Sequence, residues 1–341
     1  MKDGFHRVGS LIAAPGFLAR HGLDPDAVAV EAGLDPAALR DPNAIIPYVA
    51  FGRYAAACAA RTGRPDFGLA IGQEVTTSML GLIGGLMRNA PTLSAALSDL
   101  VTNQPRYARG SAVFALRFGD AAYWGYVCYQ RGAPGRDQIH LGAMAHCARV
   151  LEELCGIRPR GVILSERAPD ASGFQRLCER HFGVPVTFDS IISALVLDPR
   201  DLDLPVRGAD PAERARLEAL LAQYRPIGDP PPFAERVLHA LVSRLTWEPC
   251  PAERIAQLLG LSSRTMERRL HAAGTSFTAQ RDRARCEVAQ HLLRETRLEA
   301  GQVGAAVGYA EQAVFTRAFR RWTGMTPGAW RQAQAGGGAG G

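Results

Sequence analysis

Two stretches near the end of the chain, IAQLLGL at residues 255–261 and VGAAVGY at residues 303–309, repeat one pattern of apolar residues and glycine. They agree position by position at an offset of 48 residues, and the same offset pairs the next apolar residues, Met266 and Val314. Each copy predicts a short helix, a turn at a glycine and a second helix. The region is therefore predicted to be a helix-turn-helix that occurs twice.

The second helix of each copy has a polar outer face. In the first copy, Met266 and Leu270 lie four residues apart and predict the buried side of this helix. In the second copy, an inward stripe is predicted at positions 314, 315, 318, 319 and 322. The residues expected on the outside are Arg264, Glu267, Arg268 and His271 in the first copy, and Gln312, Ala313, Thr316, Arg317 and Arg320 in the second. Arginine and glutamine match the edges of guanine and adenine in the major groove, so both helices are predicted to read DNA.

A single helix is predicted between the two copies, over residues 276–295. At 1.5 Å per residue it would be about 30 Å long, and successive major-groove faces on one side of B-DNA lie about 34 Å apart. The spacing from Thr296 to Glu299 predicts a capping box at the start of the second copy. Gly324 is predicted to end the last recognition helix, and Thr326 with Pro327 to begin a short final helix that runs to Arg331.

The run GYAEQAVFTRAFRRWTGMTP at residues 308–327, with SSRTMERRL at 262–270, resembles the DNA-binding domain of AraC/XylS-type transcription regulators. The resemblance extends from about residue 233 to 334 and implies that Thr316 lies near phosphate. The DNA-binding residues it implies are Arg264, Thr265, Glu267, Arg268, Gln312, Ala313, Thr316, Arg317 and Arg320. Serine is common in the family where Ala313 stands, and alanine where Gly304 stands. The second copy is thus expected to make fewer polar contacts and to have a less stable first helix, because glycine within a helix costs about 1 kcal/mol relative to alanine.

The net charge of +6 belongs to the repeat region. Residues 233–333 contain fifteen arginines and nine acidic residues, whereas residues 1–232 contain twenty-four basic and twenty-four acidic residues. A basic region joined to a neutral one is typical of a polyanion-binding domain attached to a domain of another kind. Seven scattered cysteines without a CxxC pair predict a reducing cytosol. The apolar run 79–87 is too short to span a bilayer, so we expect a cytoplasmic protein with no membrane partner.

The pattern of the first 207 residues predicts a mixed α/β domain. We expect helices through residues 5–61 and at 137–154 and 173–182, an aromatic hairpin at 112–129, and strands at 161–164, 186–188 and 193–197. The rings of the hairpin either fill a core between sheet and helix or line a ligand pocket. The glycine-rich run 81–87 lacks the spacing of a nucleotide loop and predicts close helix packing instead.

The predicted fold class is α+β, a mixed α/β N-terminal effector domain followed by an all-α domain of two helix-turn-helix units joined by a long helix. By its length, its helical start and the run LGL at residues 80–82 followed by PTL at 91–93, the N-terminal region also resembles, less specifically, the effector-binding domain of the arabinose-binding-like branch of the same regulators. The expected boundaries are 1–207 for the effector domain, 208–232 for a linker with a short charged helix, 233–334 for the DNA-binding domain and 335–341 for a disordered tail.

The resemblance implies a transcription regulator and, by family analogy, an activator. Its expected partners are double-stranded promoter DNA, a small-molecule effector of unknown identity and RNA polymerase. The resemblance is also compatible with a homodimer. Neither a cofactor, a metal site nor a catalytic residue is predicted. His140, His146 and Cys147 lie on one predicted helix, but a third metal ligand of matching geometry is not visible. Two alternatives stay open at this point: an architectural DNA binder without an effector, and an enzyme with a DNA-targeting module.

Overall fold

The computed structural model describes residues 4–104, 107–118, 120–128, 134–168, 173–190, 192–223, 232–242, 245, 250–259, 261–295 and 298–336. The chain divides into two compact units, 1–114 with 120–225, and 115–119 with 226–341. Helices predominate in both units, and the sheets belong to the N-terminal region. Among the described residues, none of the helices has the length and apolar character needed to cross a membrane.

A small antiparallel sheet of three strands opens the first unit: β1 (Phe5–Arg7), β2 (Ile45–Pro47) and β3 (Ala108–Arg109). Strand β1 lies in the middle, with His6 opposite Ile46 on one side and Ala108 on the other. The expectation of a purely helical start is wrong at β1 and β2. Strands of three residues are too short to show the alternation of apolar and polar residues that marks a strand.

The larger sheet has five strands: β4 (Ser111–Phe118), β5 (Ala121–Cys128), β6 (Gly161–Ile163), β7 (Val186–Thr187) and β8 (Ala194–Leu197). Their order is β4-β5-β8-β6-β7, with β8 antiparallel to β5 and β6, and β6 parallel to β7. Trp124 pairs with Leu195, and both side chains are fully buried. The predicted aromatic hairpin and the three later strands are confirmed.

Nine α-helices are described in the first unit. They are α1 (Ala14–Arg20), α2 (Pro25–Glu31), α3 (Tyr48–Thr62), α4 (Phe67–Gly72), α5 (Leu82–Arg88), α6 (Leu93–Asn103), α7 (Arg136–Cys155), α8 (Gly173–Phe182) and α9 (Pro211–Gln223). Helices α7 and α8 confirm the predictions for 137–154 and 173–182. Helix α7 contacts α3, α4, β5 and β8, and is therefore the central element of this unit.

Glycines bring the backbones of α4 and α7 into direct contact. A Cβ atom at Gly68 would lie 2.2 Å from the carbonyl oxygen of Gln138, and one at Gly72 would lie 2.3 Å from that of Gly142. A Cβ atom at Gly84 would lie 1.7 Å from the carbonyl oxygen of Thr77. The prediction that the glycines at 81–87 serve close packing is thus confirmed, and the same device joins α4 to α7.

Helix α9 packs on the first unit, whereas the sequence predicts a linker with a short charged helix at these residues. Arg214 of α9 donates to Asp99 at 2.8 Å and to the carbonyl oxygen of Leu86 at 3.2 Å. Leu217 is buried where Gly85 leaves room for it, with its Cδ1 3.0 Å from the place of a glycine Cβ. The predicted stiff linker at 228–232 lies outside the described residues, apart from Pro232.

The described part of residues 226–341, which make up most of the second unit, contains helices as its regular elements. Its helices are α10 (Phe233–Val242), α11 (Ala252–Leu258), α12 (Ser263–Ala272), α13 (Phe277–Glu295), α14 (Ala300–Ala306), α15 (Gln312–Thr323) and α16 (Pro327–Gly336). Helix α13 confirms the long helix expected at 276–295 and contacts α10, α14, α15 and α16. Since it contributes Ala284 to the core around α11 and α12, one helix joins both helix-turn-helix copies.

Two end signals of this unit differ from prediction. Helix α14 is capped by Glu299, whose carboxylate accepts the N–H of the third helical residue while its own N–H donates to Gln302 at 2.7 Å. The predicted box from Thr296 is therefore displaced by three residues, and Thr296 itself lies outside the described residues. Helix α16 continues to Gly336, so the expected tail cannot begin at 335; residues 337–341 are not among those described.

Candidate DNA-contacting surface

Helices α12 and α15 are each held by a buried pair of side chains four residues apart. Met266 and Leu270 of α12 are fully buried, and so are Phe315 and Phe319 of α15. Ser262 caps α12 by accepting the N–H of Thr265 at 3.3 Å, and Gly324 ends α15 with a φ of 79°. Sequence and packing therefore agree that these four residues face inward.

The two copies differ by one residue in the turn before the second helix. Helices α11 and α14 correspond at an offset of 48, but α12 and α15 begin at Ser263 and Gln312, an offset of 49. The buried pairs also correspond at 49. The predicted equivalence of Met266 and Val314 is therefore wrong.

Val314 is 38% exposed and does not belong to the inward stripe. Consecutive residues of an α-helix point about 100° apart, so a stripe centred on Phe315 and Phe319 turns Val314 toward the side of the helix. At an offset of 49, Val314 is the equivalent of Thr265, which the resemblance places in the DNA-binding set. Sequence reasoning missed Val314 as a surface residue, and the signal that could have found it is the four-residue spacing of the two phenylalanines.

Gly304 provides the space in which Phe315 packs. A Cβ atom at this buried glycine would lie 2.9 Å from Cβ and 3.0 Å from Cγ of Phe315. Its counterpart in the first copy, Ala256, faces a core with methionine in place of the ring. The glycine was expected only to loosen α14; in the structure it also permits the close approach of α15.

All nine predicted DNA-binding residues lie at least partly exposed on the two helices. Arg264, Arg268, Gln312, Ala313, Arg317 and Arg320 are exposed, and Thr265, Glu267 and Thr316 are partly exposed. Because α12 and α15 correspond at an offset of 49, Arg268 is the counterpart of Arg317, and Arg264 that of Ala313. The two outer faces thus share an arginine at the position of Arg268 and Arg317, and differ at the position of Arg264, where the second copy has Ala313.

The arginines of this unit fall into two groups. Arg283 bonds Glu235 at 2.8 Å, Arg321 bonds Asp282 at 3.1 Å, and Arg331 donates to the carbonyl oxygen of Leu293 at 2.9 Å. Arg264, Arg268, Arg317 and Arg320 form neither a hydrogen bond nor an ion pair with any residue that the structure describes. Four guanidinium groups are therefore available on the outer faces for an external anion or base edge.

Two family models match the chain. The model described as the arabinose-binding domain of AraC transcription regulator, N-terminal, matches residues 22–206, and that of a helix-turn-helix domain matches residues 255–333. The HTH-type transcriptional regulator VirS of Mycobacterium tuberculosis is 30% identical over 345 residues, which cover 98% of this chain and 99% of VirS. The chain belongs to the AraC family of transcription regulators.

Other relatives of this AraC-family protein come from Pseudomonas aeruginosa. The ornithine utilization regulator is 25% identical over 335 residues, 93% of each chain. The crystal structure of the transcriptional regulator CdpR matches at 23% identity with a TM-score of 0.40, over 79% of this chain and 87% of CdpR. The protein is thus a DNA-binding transcription regulator with an arabinose-binding-like N-terminal domain.

The N-terminal unit of this AraC-family regulator contains a cavity of about 110 Å³. Residues from β1, β5, α3, α4, α6 and α7 line it, among them the aromatic residues Trp124 and Tyr126 of the hairpin. Both side chains are buried, as the core interpretation of the hairpin predicts, and both also border the cavity; that the cavity is a ligand pocket stays a prediction. The sequence alone had named no effector-binding residue, because the lining combines positions that are far apart in the chain.

A second polar cluster joins α7 to the large sheet. His140, almost fully buried, donates from Nδ1 to Glu166 at 2.5 Å and accepts the Cys128 N–H at Nε2, 3.3 Å away. Burial would raise the pKa of the Glu166 carboxyl, but hydrogen bonds from His140 and from the backbone, together with the guanidinium of Arg136 3.8 Å away, hold that pKa below its usual range. Ser193 Oγ lies 3.3 Å from the same Nδ1 atom.

This arrangement differs from a catalytic triad, in which the serine and the carboxylate bind opposite nitrogens of the imidazole. The cluster instead connects a helix, a hairpin and the segment before β8. Among the described residues, no group of three or more histidine, cysteine, aspartate or glutamate residues is arranged to hold a metal ion.

Proposed function

We propose that this AraC-family regulator reads two adjacent segments of promoter DNA with α12 and α15, and that a small molecule bound in its N-terminal unit controls that binding and leads to activation of transcription. The proposed limits are 1–207 for the effector domain and 233–334 for the DNA-binding domain, with 208–232 between them. The observation that supports the proposal most strongly is the set of four exposed arginines, on two equivalent helices, that have no partner among the residues the structure describes.

Affinity is expected to come mainly from contacts between arginine and phosphate. Each neutralised phosphate releases counterions, so affinity should fall steeply as salt rises. Arg320 and the partly exposed Thr316 lie toward one side of the α15 face and are our candidates for these contacts. Removing a phosphate-bound arginine should lower affinity for all sequences alike and reduce the salt dependence by about one unit.

Sequence preference is expected to come from Arg268 and Arg317. Each is exposed, has no partner within the described part of the chain and follows the buried anchor of its helix by two residues. An arginine that binds guanine through both O6 and N7 contributes about 1 to 3 kcal/mol of discrimination. Glu267, beside Arg268, offers acceptor oxygens that match the amino group of cytosine.

The test is selection of binding sites from random DNA, followed by affinity measurements on the selected sequence. We expect Arg268→Ala and Arg317→Ala each to lose about 1 to 3 kcal/mol of binding free energy and each to relax the preference at one base position. The two relaxed positions should lie in different halves of the selected site, because the residues belong to different helix-turn-helix copies.

Arg321→Ala is the matched control. It removes the same unit charge from the same helix as Arg317→Ala, but this guanidinium is bonded to Asp282. We expect a uniform, small loss of affinity and an unchanged base preference. Unchanged preference in both Arg268→Ala and Arg317→Ala would contradict the assignment of the two recognition helices.

Effector control and activation are tested separately. The cavity in the N-terminal unit supports a ligand-binding role for that unit. Transcription with purified RNA polymerase on a template that carries the selected site, with and without a metabolite extract, should show a rise that depends on both regulator and extract. An equal transcript yield under all conditions would contradict both activation and effector control, and an architectural role without effector would then be preferred.

A further inference from the structure

The cavity of the N-terminal unit has a wall without charged side chains. Its lining is mostly hydrocarbon, with large contributions from residues such as Phe51, Ile71 and Leu100, and none of the described residues that line it is aspartate, glutamate, lysine or arginine. A charged group moved from water into such surroundings without a partner is strongly disfavoured. A carboxylate, an ammonium group or a zwitterion therefore finds no counter-ion here.

The two histidines on the wall do not provide a positive charge either. His6 stacks on Phe51 with ring centroids 4.2 Å apart. Burial lowers the pKa of His6 to about 4, and it lowers the pKa of His146 to about 4 against the opposing effect of Glu153. Both rings are neutral at neutral pH, so the cavity as a whole is uncharged.

Three buried polar atoms of lining residues lack a hydrogen-bond partner among the described residues. They are Nε1 of Trp124, Nε2 of His146 and the hydroxyl oxygen of Tyr107. Buried polar atoms in folded proteins nearly always have a partner, and exceptions deserve an explanation. The indole nitrogen can only donate, whereas the imidazole nitrogen donates or accepts according to its tautomer. The Tyr107 hydroxyl can both donate and accept. A hydroxyl group of a ligand, which also does both, suits each of these three atoms.

The size of the cavity limits the ligand further. Its volume of about 110 Å³ is close to the ~150 Å³ of an engineered apolar cavity that binds a single benzene ring. A sugar of this size would place a hydroxyl on nearly every carbon and leave most of them against hydrocarbon. The wall thus matches neither a polyol nor a charged amino acid.

We propose that this cavity binds an uncharged molecule of about one ring in size that is mostly hydrocarbon and bears a hydroxyl group. The inference rests on the proposed function, in which a small molecule bound by the N-terminal unit controls DNA binding. It narrows the effector to small neutral alcohols and phenols.

The test compares probes that share a carbon skeleton and differ in one group. Full-length protein is titrated with toluene, benzyl alcohol, benzylamine and benzoate, and with 1-hexanol and hexanoate as a second skeleton, while calorimetry measures Kd and thermal unfolding measures Tm. We expect at least one alcohol to bind saturably, to raise Tm, and to have a Kd at least tenfold lower than the charged probes of its skeleton and, for the ring, than toluene. L-Arabinose and L-ornithine should leave Tm unchanged.

Two variants on one helix locate the binding site. Ala143 lines the cavity, so Ala143→Leu should fill it and raise the Kd of the alcohol at least tenfold. Ala148→Leu makes the same change on α7 at a position that does not line the cavity, and should leave Kd unchanged. Trp124→Phe keeps an aromatic ring without the N–H group and should remove most of the alcohol's advantage over toluene.

The proposal is overturned if a charged probe or arabinose binds more tightly than both alcohols, if neither alcohol binds, or if Ala143→Leu and Ala148→Leu affect binding equally. DNA affinity, measured with and without probe on a selected site, separates this result from the proposed function. An alcohol that occupies the cavity without changing DNA affinity supports the ligand class and contradicts effector control. A charged probe that changes DNA affinity supports effector control and contradicts the proposed ligand class.

Discussion

Replacing Gly304 by alanine opposes two effects whose sizes the structure allows us to compare. Alanine is favoured over glycine within a helix by about 1 kcal/mol, so helix propensity alone predicts that Gly304→Ala stabilises α14. The added Cβ, however, would lie 2.9 Å from Cβ of Phe315, well inside the 3.5 to 4.0 Å at which carbon atoms attract.

The contact involves the root of the Phe315 side chain, so it can be relieved only if α15 itself moves. Overpacking of this kind costs about 1 to 3 kcal/mol, and the net effect is a loss of up to about 2 kcal/mol. Gly301→Ala is the matched control in the same helix. Its Cβ would meet Oε1 of Gln312 at 3.0 Å, the far end of an exposed and flexible side chain, so only the gain in helix propensity should remain.

The assay is hydrogen exchange of the α14 and α15 amides in the full-length chain, with thermal unfolding as a second readout. We expect the two variants to differ by about 1 to 3 kcal/mol in local stability, a five- to 150-fold difference in exchange rate, with Gly304→Ala the less protected. Slower exchange in Gly304→Ala than in the wild type would refute the reasoning, since it would mean that α15 accommodates the methyl group without strain.

Three further outcomes follow from other parts of the structure. Val314→Thr should change the free energy of unfolding by less than about 0.5 kcal/mol because the side chain is exposed, whereas Met266→Thr should cost about 2 to 5 kcal/mol because that side chain is buried. Urea titrations measure both losses, and equal losses would support the equivalence of Met266 and Val314. Burial lowers the pKa of His6 and of His146 to about 4, so below pH 6.5 the unfolded chain binds more protons than the folded one. The free energy of unfolding should therefore fall as pH drops from 6.5 toward 4, by about 2 kcal/mol per histidine at pH 5. A His6→Gln, His146→Gln double variant whose Tm depends on pH as steeply as that of the wild type would contradict this. Arg214→Ala should release α9 from the first unit, lower the free energy of unfolding by about 1 to 3 kcal/mol and speed proteolysis within 211–223. Arg216→Ala should leave proteolysis unchanged, because the partner of Arg216 is the exposed Glu213 on the same helix.

The helix-turn-helix copies could be predicted from the sequence because their pattern is local. Glycine, alanine and apolar positions at helical spacing decide a turn between two short helices without reference to the rest of the chain. The longer turn before α15 is harder to predict, since Val314 and Phe315 are both apolar and only the four-residue spacing of Phe315 and Phe319 favours Phe315 as the buried anchor. The volume beside Gly304 decides between them, and volume is a property of the packed structure.

Features built from distant positions could not be predicted. The cavity combines His6, Phe51, Trp124 and His146, which share no spacing that a pattern could reveal. The docking of α9 depends on Arg214 and Asp99, 115 residues apart. The sequence indicated only that α9 is a charged helix, and a charged face ordinarily lies in solvent.

The length of helix α13 sets both the distance and the relative rotation between the two helix-turn-helix copies. Helix α13 shares a core with the first helix-turn-helix copy and contacts both helices of the second. Inserting a single residue in it would therefore rotate the second copy by about 100° and shift it by about 1.5 Å along the helix axis. Such a twist does not correspond to a small change in base-pair spacing, so descendants of this chain can acquire new operators by exchanging side chains on α12 and α15 far more readily than by respacing them.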